Sequence, residues 1–577
     1  MRMLERNMLR ENIIDKLYDV LDSVVNRTIN KEQSFGVVLT LDDDPYASGK
    51  FALALSFLIE RFPARADQWS GVWHELVKAP SENWGKYYFL QALWKLHCLG
   101  LLNTIFSDQQ LQRLTEKLRW QELVDEESWK LNPPFPTNYY GVAFSIARLR
   151  FLLGWETQFA SQKILQQLVE HYRTHSQHGC VDETEGKGRF DRYSILLIAE
   201  ICQRHIDTGL EICDWLKDAL RQVSTLILAM LNDEGVGFLW GRSIGAYGDS
   251  AFNEILTISM RLGLLDRQEC AAASRFTLAC SERFLNFWYD SNEQSVNLWF
   301  YGRQTDAYRA EHRLVGENIS LSCQHLCVQR AWADVSFDAT PLMLPEQTLK
   351  FTPFCNDKYT RGLFHWYDGK RLFVLPLING DKHYFATSPY FPVPFSAGLI
   401  TGVAQGHAPL WVPGLVDSRG CILRPLVWFG DCGYQKTKNG WEIEINYSAL
   451  NVVMENGVLL SEPKKDYSCQ CRTRYFIEPS TLTRVDTFSF LKHSEMYLEL
   501  QCAVFPEKMR MIHSADSLHI DYESNGIQSL ELNGFEDYCV ERTALCSPYG
   551  ALGQQITGRR DVSGAKDVTV SWQIRYC

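Results

Sequence analysis

HGCVDETEGKGRFDRYS, residues 178–194, decides how the first half of this chain reads. Apolar residues recur at helical spacing on both sides of it, over Ser161–His175 and Tyr193–His205. A connection between two helices is usually short and bland. This one crowds Asp182, Glu183, Glu185 and Asp191 around Gly179, Gly186 and Gly188, whose backbones reach conformations that other residues avoid. Such a loop between long helices marks a helical scaffold that carries chemistry on its connections. A second loop of the same texture is Trp240–Asp249, WGRSIGAYGD, with one Arg and one Tyr ahead of a helix start.

Outward from these loops, helical stripes run from Leu4 to about Arg330. They cover Ser48–Arg61, Trp69–Val77, Trp84–Leu102, Gln109–Leu123, Tyr139–Leu153, Ile212–Met230, Ser250–Leu264, Cys270–Phe287 and Leu314–Val328 among others. Roughly a dozen helices with short breaks can close into a ring of antiparallel hairpins, and no fixed-period repeat argues for an open solenoid. After about Thr340 the texture changes. Leu372–Ile378, Trp441–Tyr447, Tyr497–Val504 and Val568–Tyr576 alternate or are rich in β-branched and aromatic residues. Asn379-Gly380, Asn439-Gly440, Asn456-Gly457 and Asn525-Gly526 supply hairpin turns. The expectation is an α+β chain of two domains. Residues 1–335 form an (α/α) toroid carrying the active site, and residues 345–577 form an antiparallel β-sandwich, with Pro341–Pro353 as linker.

Composition narrows the function. A chain of 577 residues with 46% hydrophobic and 22% charged residues is a folded protein of more than one core. A net charge of -11 with no basic stripe excludes a nucleic-acid binder. No apolar run of about eighteen residues occurs, so no membrane span is expected. The opening MRMLERNMLRENIIDKLYDVL is charged and amphipathic, unlike a signal peptide, so a cytoplasmic location and reduced thiols are expected for the 17 cysteines. Cys469 and Cys471 form a CxC without a partner pair, so no zinc, other metal or cofactor is expected. A homo-oligomer is allowed and its size is not fixed.

Candidate site residues gather at the breaks before helices. In Pro133–Gly141 the prolines end one helix, and Asn138 either caps the next or offers its amide to a ligand, with Tyr139 beside it to stack on a sugar face. Asp182 follows an apolar Val181 and reads as inward-pointing, whereas Glu183 and Glu185 read as solvated. Asp191 is either a helix cap or, flanked by Phe190 and Tyr193, a partly desolvated carboxyl suited to general acid work. Arg242, between Gly241 and Ser243, either pairs with a loop carboxylate such as Asp191 or clamps a substrate carboxylate in a bidentate fork. Trp240 and Tyr247 share its loop, and Asp249 reads as the cap of the following helix. His312 lies near Glu317 in YRAEHRLVGENISLSCQ, with histidine's aptitude for proton transfer near neutral pH. In the β half, Tyr390, His407 and Trp411 sit on aromatic, proline-rich loops that either pack the two domains or reach over the ring mouth.

At these residues the sequence resembles the domain-of-unknown-function family 2264, with its "Gly-x-x-x-Asp... Phe-Asp-x-Tyr-Ser" loop and "Phe-Gly-Arg-Ser-x-x-Tyr" loop. Gly179, Asp182, Phe190, Asp191, Tyr193, Gly241, Arg242, Ser243 and Tyr247 occupy the matching positions. Arg192 and Gly248 depart from that pattern. The resemblance implies an (α/α) toroid followed by a β-sandwich, as in heparinase II/III-like polysaccharide lyases, and, from the β-glucuronidases in the family, a uronic-acid substrate.

The leading functional expectation is therefore a glycoside hydrolase acting on acidic, uronate-containing oligosaccharides, such as a β-glucuronidase. Asp182 and Asp191 would form the carboxylate pair, with Tyr193 or Tyr247 assisting and Arg242 on the substrate carboxylate. The alternative is a lyase using β-elimination, for which Asn138, Arg242, His312 and a tyrosine suffice without a carboxylate pair. A third is a sugar-binding protein that performs no catalysis. Tyr139, Trp240, Ser243 and Glu317 complete the expected substrate-binding set.

Overall fold

The structure, a computed structural model, describes residues 3–182, 188–305, 310–333, 335, 349–355, 361–367, 371–378, 410–492, 495–505, 508–514, 516–523 and 526–577. Glu183, Glu185, Gly186, Asn379-Gly380, Tyr390, His407 and Asn525 fall outside them, as does most of the expected linker. Helices end at Ala333 and long strands begin at Lys350, so Pro353 stands inside a strand, at a register shift beside Cys355. A bulge is where a strand tolerates a proline.

The helices form two concentric layers. The inner layer is Ala47–Arg61, Asn83–Cys98, Tyr139–Leu152, Arg192–Asp207, Ala246–Arg261 and Leu314–Ala333. Each packs on the next, and Leu314–Ala333 packs back on Ala47–Arg61, so the ring is closed. The outer layer alternates with it along the chain: Met3–Ile29, Ser70–Lys78, Asp108–Lys117, Phe159–His175, Asp214–Leu228 and Arg267–Arg283. The layers differ as their sequences require. The outer helix Asp214–Leu228 buries Leu216, Ala219, Leu220, Val223 and Ile227 on one stripe. The inner helix Leu314–Ala333 is buried on nearly all sides, between the first outer and first inner helices.

Local signals set the ends. Asp108–Lys117 and Arg267–Arg283 start at full capping boxes on Ser107 and Asp266. The stripe read as Trp84–Leu102 stops at Cys98 because Gly100, at φ 72°, turns the chain and Leu101 N–H donates to Leu96 O at 2.9 Å. The stripe read as Cys270–Phe287 is α-helical to Arg283 and finishes as a single π turn, Phe284–Trp288.

The second half is antiparallel β throughout. A seven-stranded and an eight-stranded sheet enclose one apolar core. Period-2 burial is clear in Cys469–Glu478, where Cys469, Cys471, Thr473, Tyr475 and Ile477 face in. Asn456 and Gly457, at φ 53° and 74°, make the tight turn their sequence announces. A separate three-stranded sheet, Lys350–Cys355, Arg361–Tyr367 and Leu372–Leu377, joins the halves. Its alternating residues belong to different cores: Leu363 and Val374 to the toroid, Phe364, Trp366, Phe373 and Leu375 to the sandwich. Both faces of the central strand are therefore buried.

The first two inner helices approach closely, with no room for a side chain between them. A Cβ on Gly49 would stand 1.9 Å from the Gly85 carbonyl oxygen. Gly49→Ala should therefore force the two helices apart and lower unfolding free energy in urea by about 1–3 kcal/mol or more. An unchanged midpoint would show that the ring yields at this crossing.

Candidate active site

Because one outer helix separates each inner helix from the next, the inner helices run in one direction. Their first turns gather at one rim, and the positive ends of their dipoles with them, a setting that favours an anion. Contacts trace this rim residue by residue. The Trp84 ring meets the Tyr139 ring edge-on at 6.4 Å. Tyr139 hydrogen-bonds Tyr46 and feels the fields of Tyr193 and Arg242. The Arg242 guanidinium lies 4.4 Å from the Tyr193 ring centre. Arg192 reaches the rings of both Tyr193 and Tyr247, at 4.9 and 5.6 Å. Tyr247 OH donates to Glu317, which lies 3.8 Å from Arg313, and Arg313 closes the circuit onto Asp44 at 3.1 Å.

Asp191 and Arg242 are the centre of this rim. Asp191 is fully buried, and both its oxygens accept: Oδ1 from Tyr193 N–H and Oδ2 from Arg242 Nε, each at 2.8 Å. It caps its helix, with Ser194 completing the capping box. The cap and the Arg-pairing readings thus hold together. Arg242 keeps 17% of its side chain open to solvent, so its charge borders the mouth. The Tyr193 hydroxyl is 3.3 Å from Ser243 Oγ. Ser243 itself is buried in a left-handed conformation at φ 61°.

Asn138 stands at the N-cap position of its helix, yet its side chain makes no cap hydrogen bond. Its Oδ1 is buried and has no partner among the described residues. A buried amide oxygen left unpaired is costly. His312 is exposed on the stretch entering the sixth inner helix, one residue from Arg313.

Other expected site residues turn inward. Asp182 is buried, and its Oδ2 accepts Gly188 N–H at 2.8 Å, fastening the two ends of its loop. Trp240 is 1% exposed and packs edge-on against Phe238, so stacking on a sugar does not fit its position. Glu317 is buried and serves Tyr247 and Arg313 instead of facing the mouth. Asp249 does not cap its helix, whose N-cap is Gly245. It accepts from Gly237 N–H, Trp288 Nε1 and Arg283 Nε at 2.8, 2.9 and 3.2 Å. Burial pushes its carboxyl up, against Arg283 and these donors. Trp411 is fully buried in the sandwich against Trp572, away from the mouth.

Some residues of the rim carry no sequence signal. Asp44 lies in an acidic run, LDDDP, that reads as solvated, yet it is buried between Lys50 and Arg313. Burial pushes its carboxyl up, and these two cations more than offset that, leaving it below the ordinary range. Lys50, Arg192 and Tyr46 likewise sit inside helical stripes or at their starts, where nothing distinguishes them from scaffold.

Several titratable groups on the inner helices lie close enough to feel one another. Cys327 is solvent-exposed, yet the surrounding protein pushes its thiol up to about 11, as for a group on an inner wall. Glu254 is near it, and burial raises its carboxyl to about 7 against the opposing field of Arg192. Burial, Glu200 and Glu254 together push up the phenol of Tyr88. At the far ends of the inner helices ion pairs form a belt: Lys95 with Glu60 at 2.8 Å, Arg330 with Glu60, and Arg261 with Asp207 at 3.7 Å. Among the described residues no His, Cys, Asp or Glu cluster is placed to hold a metal ion, and no helix is long and apolar enough to cross a membrane.

No protein-family model matches the sequence, so the likeness to family 2264 rests on its motifs alone, and no curated protein matches it by sequence. Solved structures do match. The chain is similar to the chondroitin AC lyase of Streptomyces coelicolor A3, solved with chondroitin sulphate, at a TM-score of 0.54 and 9% identity over 100% of this chain and 82% of that one. It also aligns with the heparan sulfate lyase HepC of Pedobacter heparinus (TM-score 0.31, 9% identity, 92% of this chain and 76% of that one). A glycosyl hydrolase of family 88 from Bacteroides vulgatus aligns at TM-score 0.34 and 11% identity over 54% of this chain and 99% of that one. The last two scores are too low to carry an argument. The first establishes the fold, a helical toroid followed by antiparallel β-sheets.

Glu254 offers a pH test. The carboxyl of Glu254 titrates higher in the fold, at about 7, than its ordinary 4.5. The fold then binds the extra proton, so this group favours folding below about pH 4.5 and loses that contribution as pH rises through about 7. Glu254→Gln should match the parent in urea unfolding at pH 5 and exceed it at pH 8. Equal stability at both pH values would mean that Glu254 is not desolvated.

Proposed function

We propose that this chain is a lyase that cleaves uronate-containing, acidic polysaccharide or oligosaccharide by β-elimination. One observation carries the choice over hydrolysis. The two aspartates available as a catalytic pair are already engaged, Asp191 by Arg242 and its helix cap, Asp182 by Gly188 N–H. A glycosidase needs two carboxyl groups disposed about the scissile bond. Elimination needs a neutralised substrate carboxylate, a base for the C5 proton and an acid for the leaving oxygen. The rim supplies a guanidinium, a spare amide and phenols. The fold shared with a chondroitin AC lyase supports the same reading.

In this reading the uronate carboxylate lies against Arg242, with the Asn138 amide as second contact. Charge neutralisation there makes the adjacent C5–H acidic. Tyr193 takes that proton, its phenolate met by Arg242 and Arg192. The C5–H electron pair becomes the C4=C5 double bond, and the C4–O bond breaks. The proton passes from Tyr193 to the leaving oxygen, so no water is consumed. Asp191 touches no substrate. It fixes the guanidinium plane, which an ammonium cannot reproduce.

Incubation with chondroitin sulphate and related uronate oligosaccharides should yield products that absorb in the ultraviolet and whose summed mass shows no added water. Tyr193→Phe and Arg242→Lys should each lower turnover roughly a hundredfold or more. Asp191→Asn should do the same by releasing Arg242. Products that gain one water per cleavage would overturn the lyase reading in favour of a hydrolase, with Glu254, which holds a proton near neutral pH, as its acid. Tight binding without turnover would make the chain a sugar-binding protein.

A further inference from the structure

The loop that carries Arg242 is conformationally expensive. Gly241, Ser243 and Gly245 all have positive φ, at 72°, 61° and 75°. For Ser243 that conformation brings Cβ close to the following carbonyl oxygen and is sterically disfavoured. Such a segment persists only where its surroundings over-determine it. On its inner side Ser243 has Tyr193, and the loop's Arg242 has Asp191. The outer side is held by the β half.

That support is a short hairpin, Cys546–Ala551. Its flanks, Leu545 and Leu552, are rooted in the sandwich core, whereas Tyr549 at its tip packs against the toroid core. The hairpin is docked by main chain: Gln304 N–H donates to Ser547 O at 3.0 Å, and Arg303 bridges Ser547 in parallel register. Its tip faces Gly245. A Cβ there would stand 3.0 Å from Trp288 and 3.5 Å from Pro548. The Tyr549 ring lies 5.8 Å from the Trp288 ring, and Trp288 Nε1 is held by Asp249. Asp249 N–H in turn donates to Gly245 O at 2.9 Å. Gly245 is thus enclosed by Trp288, Pro548 and its own helix start, two residues from Ser243.

We propose that Tyr549 is a positioning residue for Arg242, acting through Trp288 and Gly245 to hold the loop in its left-handed path. The catalytic part of this rests on the lyase reading; the positioning part does not. Removing the ring leaves Trp288 without its outer neighbour and lets Gly245 relax outward, which carries Arg242 off the Tyr193 face.

The test uses the full chain and two readouts. Amide hydrogen exchange, without substrate, follows residues 240–249 and the sandwich strands separately. Steady-state kinetics on whichever uronate polymer the parent cleaves gives kcat and KM. Tyr549→Ala should speed exchange across 240–249 about tenfold or more while strands such as Thr481–Phe490 stay protected. It should lower kcat up to roughly a hundredfold, more than it changes KM. Tyr549→Phe, which keeps the ring, should restore both. Unchanged exchange in 240–249 would overturn the proposal even if the chain is a lyase. Equal loss of protection in the sandwich would overturn it too, by making Tyr549 a general packing residue, and no rescue by Phe would overturn it by assigning the hold on the loop to the Tyr549 hydroxyl at Gly245 instead of the ring on Trp288. Gly245→Ala, which presses on Trp288 from the other side, should reproduce the faster exchange, and a protected loop in that variant would count against the mechanism. If the parent cleaves no uronate polymer, the lyase reading fails and the exchange result still decides the positioning.

Discussion

A carboxylate with no access to water must find its partners inside the protein. Asp191 is that group here, and its needs organise the rim. A buried charge left alone costs far more than a surface pair can return, so the surrounding chain has to deliver a cation and donors. Tyr193 N–H comes from the helix Asp191 starts, and Arg242 comes from a loop fifty-one residues on. Arg242 can meet it only if its loop turns through three left-handed residues. One buried charge thus ties two loops, two inner helices and one strained backbone path together. Removing either partner would strand the other, which is why the pair reads as architecture as much as chemistry.

The closed ring gives that pair its setting. Six parallel helix starts lend the rim a positive bias, and the carboxylates buried beneath it, Asp191, Asp44 and Glu317, each have a cation or donor within reach. Internal negative charge is therefore compensated locally, and the remaining field favours an anionic visitor. The β half bears on both loops. Phe354 stacks near Phe190 at 5.2 Å, and the Arg361 side chain fills the space over Gly188. On the other side stand Pro548 and Tyr549. The three-stranded sheet makes this stiff, because its two faces belong to two different cores and neither can shift alone.

The fold was legible because periodicity survives burial. Helical spacing located every inner helix to within a few residues, and alternation found Trp441–Tyr447 to its ends. The errors have local causes. Gly100 ended one stripe early, and Pro353 was read as linker because a bulge within a strand leaves no pattern. The site was legible only where glycine and charge coincide. Asp191, Arg242, Tyr193 and Tyr247 do come together, and the Asn138 amide oxygen is unpaired among the described residues. Trp240 was misread because a Trp beside a Gly-rich loop looks exposed, whereas Phe238 takes it into the core. Lys50 and Asp44 were missed because a Lys within an apolar stripe and an acidic run both resemble solvated surface until the ring closes them on Arg313.

The choice between elimination and hydrolysis finally turns on what a carboxylate can do once it is paired. An aspartate that holds an arginine has both oxygens committed and no proton to give, and its value is to make the guanidinium rigid. Rigidity matters more for elimination than for hydrolysis. In elimination the charge that grows in the transition state sits on the substrate's own carboxylate, so a fixed planar cation beside it stabilises the transition state more than the ground state. In hydrolysis positive charge grows on the sugar ring, and a fixed cation at the same place would oppose it. Arg242 and Arg192, flanking Tyr193, are cations of the sign that the proposed elimination calls for. Glu254, whose carboxyl burial raises toward neutrality, feels the opposing field of Arg192. On this argument the rim suits the β-elimination we propose better than it suits hydrolysis.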